Sequence, residues 1–144
     1  MLDNARGKYN LILEQPTERI EVKTFVIVEP HKEVCEFMVV ILSRFLKDRA
    51  KVVDFSLFDE AWEKIPSISE VAMIFVAFDA PTERGGRVAQ KFKRQFPDAK
   101  IILTSVFDFH EKAEQLGLDD FVSKIDFVSI GKLEQLLQKH GIEL

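Results

Sequence analysis

The stretch that most limits what this chain can fold into is Val71–Phe78, VAMIFVAF, eight apolar residues without a break. A strand with one wet face alternates apolar and polar side chains. An unbroken run belongs to a central strand of a parallel sheet, covered by helices on both faces. The rest of the chain supplies what such a sheet needs. Phe25–Val28, Lys51–Phe55, Lys100–Leu103 and Phe121–Val122 are four further strand segments. Between them run amphipathic stripes at three- and four-residue steps. The first is Val34, Phe37, Met38, Ile41, Leu42, Phe45 and Leu46, and a short second, Phe58, Ala61, Trp62 and Ile65, is ended by Pro66. The third is Val88, Phe92 and Phe96, stopped near Pro97; the fourth is Phe109, Ala113 and Leu116, with Gly117 as a C-cap. Ile130, Leu133, Leu136 and Leu137 form the fifth, with Gly141 just past its end.

Five strands alternating with five helices predict a doubly wound α/β domain: a five-stranded parallel sheet of flavodoxin-like type with helices on both faces. In such a fold the functional groups lie outside the carboxyl ends of the strands, near the switch in strand order. That selects Glu29–Pro30, Ala77–Asp79, Thr104–Ser105 and Lys124.

Composition narrows the function. The 144 residues suit one domain with its own core, and 47% hydrophobic with 31% charged residues fits a globular chain. A net charge of −4 argues against a phosphate-backbone partner, so no nucleic acid is expected. The cations Arg84, Arg87, Lys91, Lys93 and Arg94 read as a solvated helix face. The lone Cys35 cannot form an internal disulfide, lacks zinc-type spacing, and reads as a buried thiol. His31, His110 and His140 are scattered without ligand or triad spacing, and no glycine-rich phosphate loop follows the first strand. The N-terminus lacks a secretory core and no apolar run reaches membrane-spanning length, which makes a cytoplasmic setting the default. Residues 1–24 stand outside the alternation. Tyr9, Leu11 and Leu13, then Ile20 and Val22, suit a hairpin, an edge strand or an arm on a partner subunit, and a partly ordered tail equally.

From Phe25 to the C-terminus the chain resembles a response-regulator receiver domain (CheY-like), the phosphoacceptor module of two-component signalling. FVIVEPHKEV matches the first strand and helix start, IFVAFDAPTERGG the third strand and its loop, IILTS the fourth strand and DDFVSK the fifth. The resemblance implies an acidic pair after strand one, a phosphorylated aspartate ending strand three, a hydroxyl ending strand four and a lysine ending strand five. Together these hold Mg²⁺ and neutralise a phosphoryl group. Here Glu29 takes the first acidic position and Pro30 the second. Pro81 and Gly85 meet the family's spacing only if Ala77 is the acceptor position. Thr104 takes the hydroxyl position, Lys124 the lysine position and Phe121 that of the switch aromatic. Ile125 replaces the proline that usually follows the lysine.

Alanine cannot accept phosphate and proline offers a metal no oxygen, so the expectation is a degenerate pseudo-receiver: no enzyme, no cofactor and a lost Mg²⁺ site. With the central aspartate gone, Glu29 is expected to pair with Lys124. Thr104 either satisfies a strand-end backbone group or keeps a switch role, and Asp79 is expected to hold its loop. The implied function is phosphorylation-independent binding of a protein partner in trans, such as a signalling kinase or regulator, or pairing as a homodimer. The chain ends after the fifth helix, consistent with action in trans. The resemblance points to the surface of helix four, strand five and helix five, where Phe107, Phe109 and Phe127 are candidate contacts and equally candidate core. Two alternatives stay open. One is a phosphorylatable regulator using Asp79 with Mg²⁺; the other is a small-ligand-binding flavodoxin-like domain.

Overall fold

The computed structural model describes residues 22–79 and 82–144. The proposed hairpin or arm in residues 1–21, and Pro81, lie outside them. The strands are β1 (Lys23–Val28), β2 (Ala50–Phe55), β3 (Val71–Ala77), β4 (Lys100–Ser105) and β5 (Asp120–Ser123). The helices are α1 (Lys32–Leu46), α2 (Phe58–Lys64), α3 (Arg84–Gln95), α4 (His110–Gln115) and α5 (Ile130–Lys139). The sheet is wholly parallel in the order β2-β1-β3-β4-β5. This is the doubly wound arrangement expected from the sequence, with its switch point between β1 and β3.

Strand alternation divides the core in two. Phe25, Ile27, Phe75 and Ile102 pack beneath α1 and α5, with Met38, Leu42 and Leu133. Val26, Val28, Ile74, Val76 and Leu103 pack beneath α2, α3 and α4, with Ala61, Phe92 and Ala113. β3, the uninterrupted apolar strand, feeds both layers because neither of its faces meets water.

Several boundaries and faces differ from the sequence reading. β1 begins at Lys23, so two residues assigned to the N-terminal extension are sheet; Thr24 pairs in register with Lys51 and Val71. Phe37 is half exposed, at 51%. The buried side of α1 runs through Cys35, Met38, Leu42 and Leu46, and Phe37 lies about 100° around the helix from Met38. Ile130, on the first turn of α5, is likewise exposed. Beyond α2 the chain continues through a 3₁₀ turn, Ile65–Ser67, which contains Pro66. Gly117 and Gly141 have positive φ and close α4 and α5 in Schellman form. In each, the residue after the glycine donates to a carbonyl five back: Leu118 to Ala113, Ile142 to Leu137.

Candidate functional site

The register brings the strand-end residues into one row. Val28 pairs with Val76, so Glu29 follows beside Ala77, and Ala77 pairs with Thr104. Ser105 pairs with Ser123, and the Lys124 N–H donates to the Ser105 carbonyl at 2.8 Å, carrying the ladder one residue past β5. Glu29, Ala77, Thr104 and Lys124 share strand parity and project to the same side.

Glu29, Ala77 and Lys124 border a cleft of about 440 Å³ at the switch point, whose walls also include Pro30, Leu57, Phe58, Asp79 and Arg84; Thr104 is not among its walls. The expected ion pair is present. Lys124 Nζ lies 2.6 Å from Glu29 Oε1, and both side chains are largely withdrawn from water, at 18% and 4% exposure. That contact is the partner of Oε1 among the described residues. Glu29 Oε2 accepts the His31 N–H at 3.0 Å. Thr104 Oγ1 is buried and makes no hydrogen bond among the described residues, so it satisfies no backbone group there. Glu29 and Thr104 lie on either side of Ala77 in the sheet. Buried polar atoms are seldom left unpaired, and such exceptions need a cause. Ala77, the cross-strand neighbour of Thr104, has no side-chain group to pair with its hydroxyl.

An Mg²⁺ shell does not fit these residues. Both Glu29 oxygens already face donors, Pro30 and Ala77 offer none, and no group of three metal-ligating side chains exists among the described residues. Asp79 is exposed at the cleft, two residues beyond Ala77. Its backbone carbonyl holds the loop, accepting from Glu83 N–H at 2.8 Å and from Thr82 Oγ at 3.4 Å. Among the described residues its carboxylate makes no hydrogen bond, and the loop contact expected of Asp79 is made by this carbonyl.

Gly85 explains why the loop spacing marks Ala77. A Cβ on Gly85 would sit 1.9 Å from the Ala77 carbonyl oxygen. The first turn of α3 thus passes so close to the end of β3 that only glycine fits.

The candidate aromatics separate. Phe107 stands out into solvent at 70% exposure. Phe109 is half-buried, edge-on to Phe78 at 4.8 Å. Phe127 is fully buried, edge-on to Phe75 at 5.1 Å, because the 3₁₀ turn Asp126–Val128 rotates it inward. It is core, not interface. Phe121 is buried, with the His110 ring packed on it at 4.9 Å. Cys35 is buried with its Sγ 3.5 Å from an Asp54 oxygen. Burial, then that carboxylate, pushes the thiol up to about 12, leaving it an unreactive core group.

A second cluster carried no sequence signal. Asp120 on β5 accepts from Phe121 N–H at 2.8 Å, and its Oδ2 meets His140 Nε2 at 2.8 Å and Lys139 Nζ at 3.0 Å. Burial works to raise its pKa, but the His140, Phe121 and Lys139 contacts outweigh burial and hold it below the ordinary aspartate value. A tether across 20 residues has no local pattern by which a sequence could announce it.

No family model matches the sequence, and no curated protein matches it. Solved structures do. The RcsB response regulator of Salmonella typhimurium aligns with a TM-score of 0.68 at 14% identity, over 87% of this chain and 63% of that one. This chain therefore spans less than two thirds of RcsB. The Thermotoga maritima response regulator TrrA, in complex with Mg²⁺ and BeF, aligns at 0.68 and 19% identity, over 83% of this chain and 99% of that one. A CheY-like receiver domain protein from Methanospirillum hungatei aligns at 0.65 and 16% identity, over 84% and 98%. The chain has the fold of the response-regulator receiver domain.

Proposed function

We propose that this protein is a receiver-like signalling module that binds protein partners without being phosphorylated at the position equivalent to the acceptor. The observation that carries the reading is the Glu29–Lys124 contact beside the Ala77 methyl. In a working site the lysine is available to a phosphoryl oxygen. Here its charge is already neutralised by a buried carboxylate, which favours one state of the pocket without phosphate. The module is non-enzymatic, takes no Mg²⁺, and acts in trans on a protein such as a signalling kinase or regulator.

The contact surface is the α4–β5–α5 side. A groove of about 400 Å³ there is lined by Val106, Phe107, His110, Phe121, Lys132 and Leu136, among others. Beside it Ile125, Val128 and Ile130 are exposed as well. An exposed aromatic among aliphatic side chains, ringed by charge, has the composition of an interface centre.

Mg²⁺ and beryllofluoride, a phosphoryl mimic, test the reading when the amide resonances of Ala77, Thr104 and Lys124 are followed. No saturable shift is expected. A saturable shift lost in Asp79→Asn would establish the phosphorylatable alternative, since Asp79 lines the same cleft. A small organic molecule copurifying in the cleft would favour the ligand-binding alternative.

A further inference from the structure

The opposite flank of the sheet carries a charge pattern that the pocket and the groove leave unused. α3 carries five cations, Arg84, Arg87, Lys91, Lys93 and Arg94, and no acid. Arg84, Arg87, Lys91 and Arg94 recur at three- and four-residue steps, and all four are exposed. Beside it, α2 carries Asp59, Glu60 and Glu63 against Lys64 alone. The two helices touch: Trp62 lies 5.8 Å from Phe92, Lys91 Nζ lies 5.9 Å from the Trp62 ring, and Arg84 meets Asp59 at 2.9 Å. Trp62 is 40% exposed at this seam, and Leu57 opens α2 with most of its surface in water.

We infer that the α2–α3 face joins two copies of this chain, α2 of one lying on α3 of the other. A two-fold axis parallel to the two helices exchanges them, so each acidic helix meets a basic one and the contact is made twice. Trp62 of both copies falls at the centre, where a large amphipathic ring contributes most. Within one chain the charges are only partly spent. Asp59 pairs with Arg84 and Glu60 with Lys64, while Glu63 and Arg94 make no ion pair among the described residues. A nucleic acid would use the basic stripe but be repelled by the adjoining acids and the net charge of −4. A second copy uses both stripes.

Sedimentation equilibrium of the full chain tests this with two charge-reversed variants, Glu60→Lys/Glu63→Lys and Arg87→Glu/Lys91→Glu/Arg94→Glu, the second of which makes α3 net acidic. The wild type is expected to self-associate, and each variant alone to weaken association by more than about tenfold through like-charge contact. An equimolar mixture of the two variants is expected to regain wild-type association, because the acidic α3 of one then meets the basic α2 of the other. The single changes Glu63→Lys and Arg94→Glu, at exposed groups without an ion pair among the described residues, repeat the test with a smaller expected loss should either variant not fold by circular dichroism. A wild type monomeric up to about 1 mM overturns the inference, as does a dimer indifferent to the reversals. Separate loss without recovery on mixing also overturns it. Binding of duplex DNA or RNA by α3 in place of self-association does the same.

Discussion

Glu29 and Asp120 are both buried carboxylates that face a lysine, and they are built differently. Asp120 sits under α5 with its oxygens met by Phe121 N–H, His140 and Lys139. Glu29 sits at the switch-point cleft with one oxygen on the His31 N–H and the other against Lys124 Nζ. The first is a closed tether that fastens α5 to β5. The second lines an open cleft beside Ala77, and on the other side of Ala77 the buried Thr104 hydroxyl has no hydrogen-bond partner among the described residues. Full enclosure belongs to a structural group, whereas a buried ion pair lining a strand-end cleft has the placement of a functional one.

The largest effect expected from this contrast comes at the tether. Asp120→Ala strands His140 and the Phe121 N–H together, at a cost of about 3 kcal/mol and a fall in Tm of about 10 °C in a thermal melt. Lys124→Ala leaves Glu29 buried without its cation, but the cleft admits water, so the cost is about 2 kcal/mol by urea unfolding. Stability and partner binding both unchanged in Lys124→Ala would remove the support for a locked pocket. Replacing both partners, as Glu29→Gln with Lys124→Met, removes the charges together and is expected to cost less than about 1 kcal/mol, so the double-mutant cycle is non-additive.

Acid titration sharpens the comparison. Asp120 is held below its ordinary value of 3.8 in the fold, so its carboxylate stabilises the protein above that pH. That contribution is lost as pH falls through the lower folded value. The stability gap between wild type and Asp120→Asn is therefore expected to be constant near neutrality and to narrow below pH 3.8. A gap unchanged down to pH 2 would show that the tether does not depend on charge. The smallest effect on stability belongs to Phe107→Ala, within about 0.5 kcal/mol, because so exposed a ring buries little on folding. A loss of at least about 2 kcal/mol in partner affinity in a titration would identify it as an anchor of the α4–β5–α5 surface.

Much of this was legible before any coordinates. VAMIFVAF places β3 at the centre because apolar residues on both faces admit only helices above and below. The Ala77-to-Gly85 spacing was readable because a backbone approach too close for any Cβ constrains residue type at a fixed distance. Phe127 was not readable: its burial depends on a three-residue turn after β5 that follows no periodicity. Phe37 misled because a helix presents three- and four-residue neighbours over a wide arc, and sequence alone does not say where that arc meets the sheet. The unpartnered hydroxyl of Thr104 was equally hidden, since satisfaction is a property of three-dimensional neighbours.

By itself the sequence determined the winding order of strands and helices, the acid and lysine at the strand ends, and the alanine between them. It did so because periodicity and covalent side-chain chemistry are local. The tertiary structure alone decided that Glu29 and Lys124 meet, that Asp120 ties down α5 through His140, and that an acidic helix lies beside a basic one. Those contacts join residues far apart in the chain, and the sheet register and helix docking that bring them together are set by the packing of the whole core.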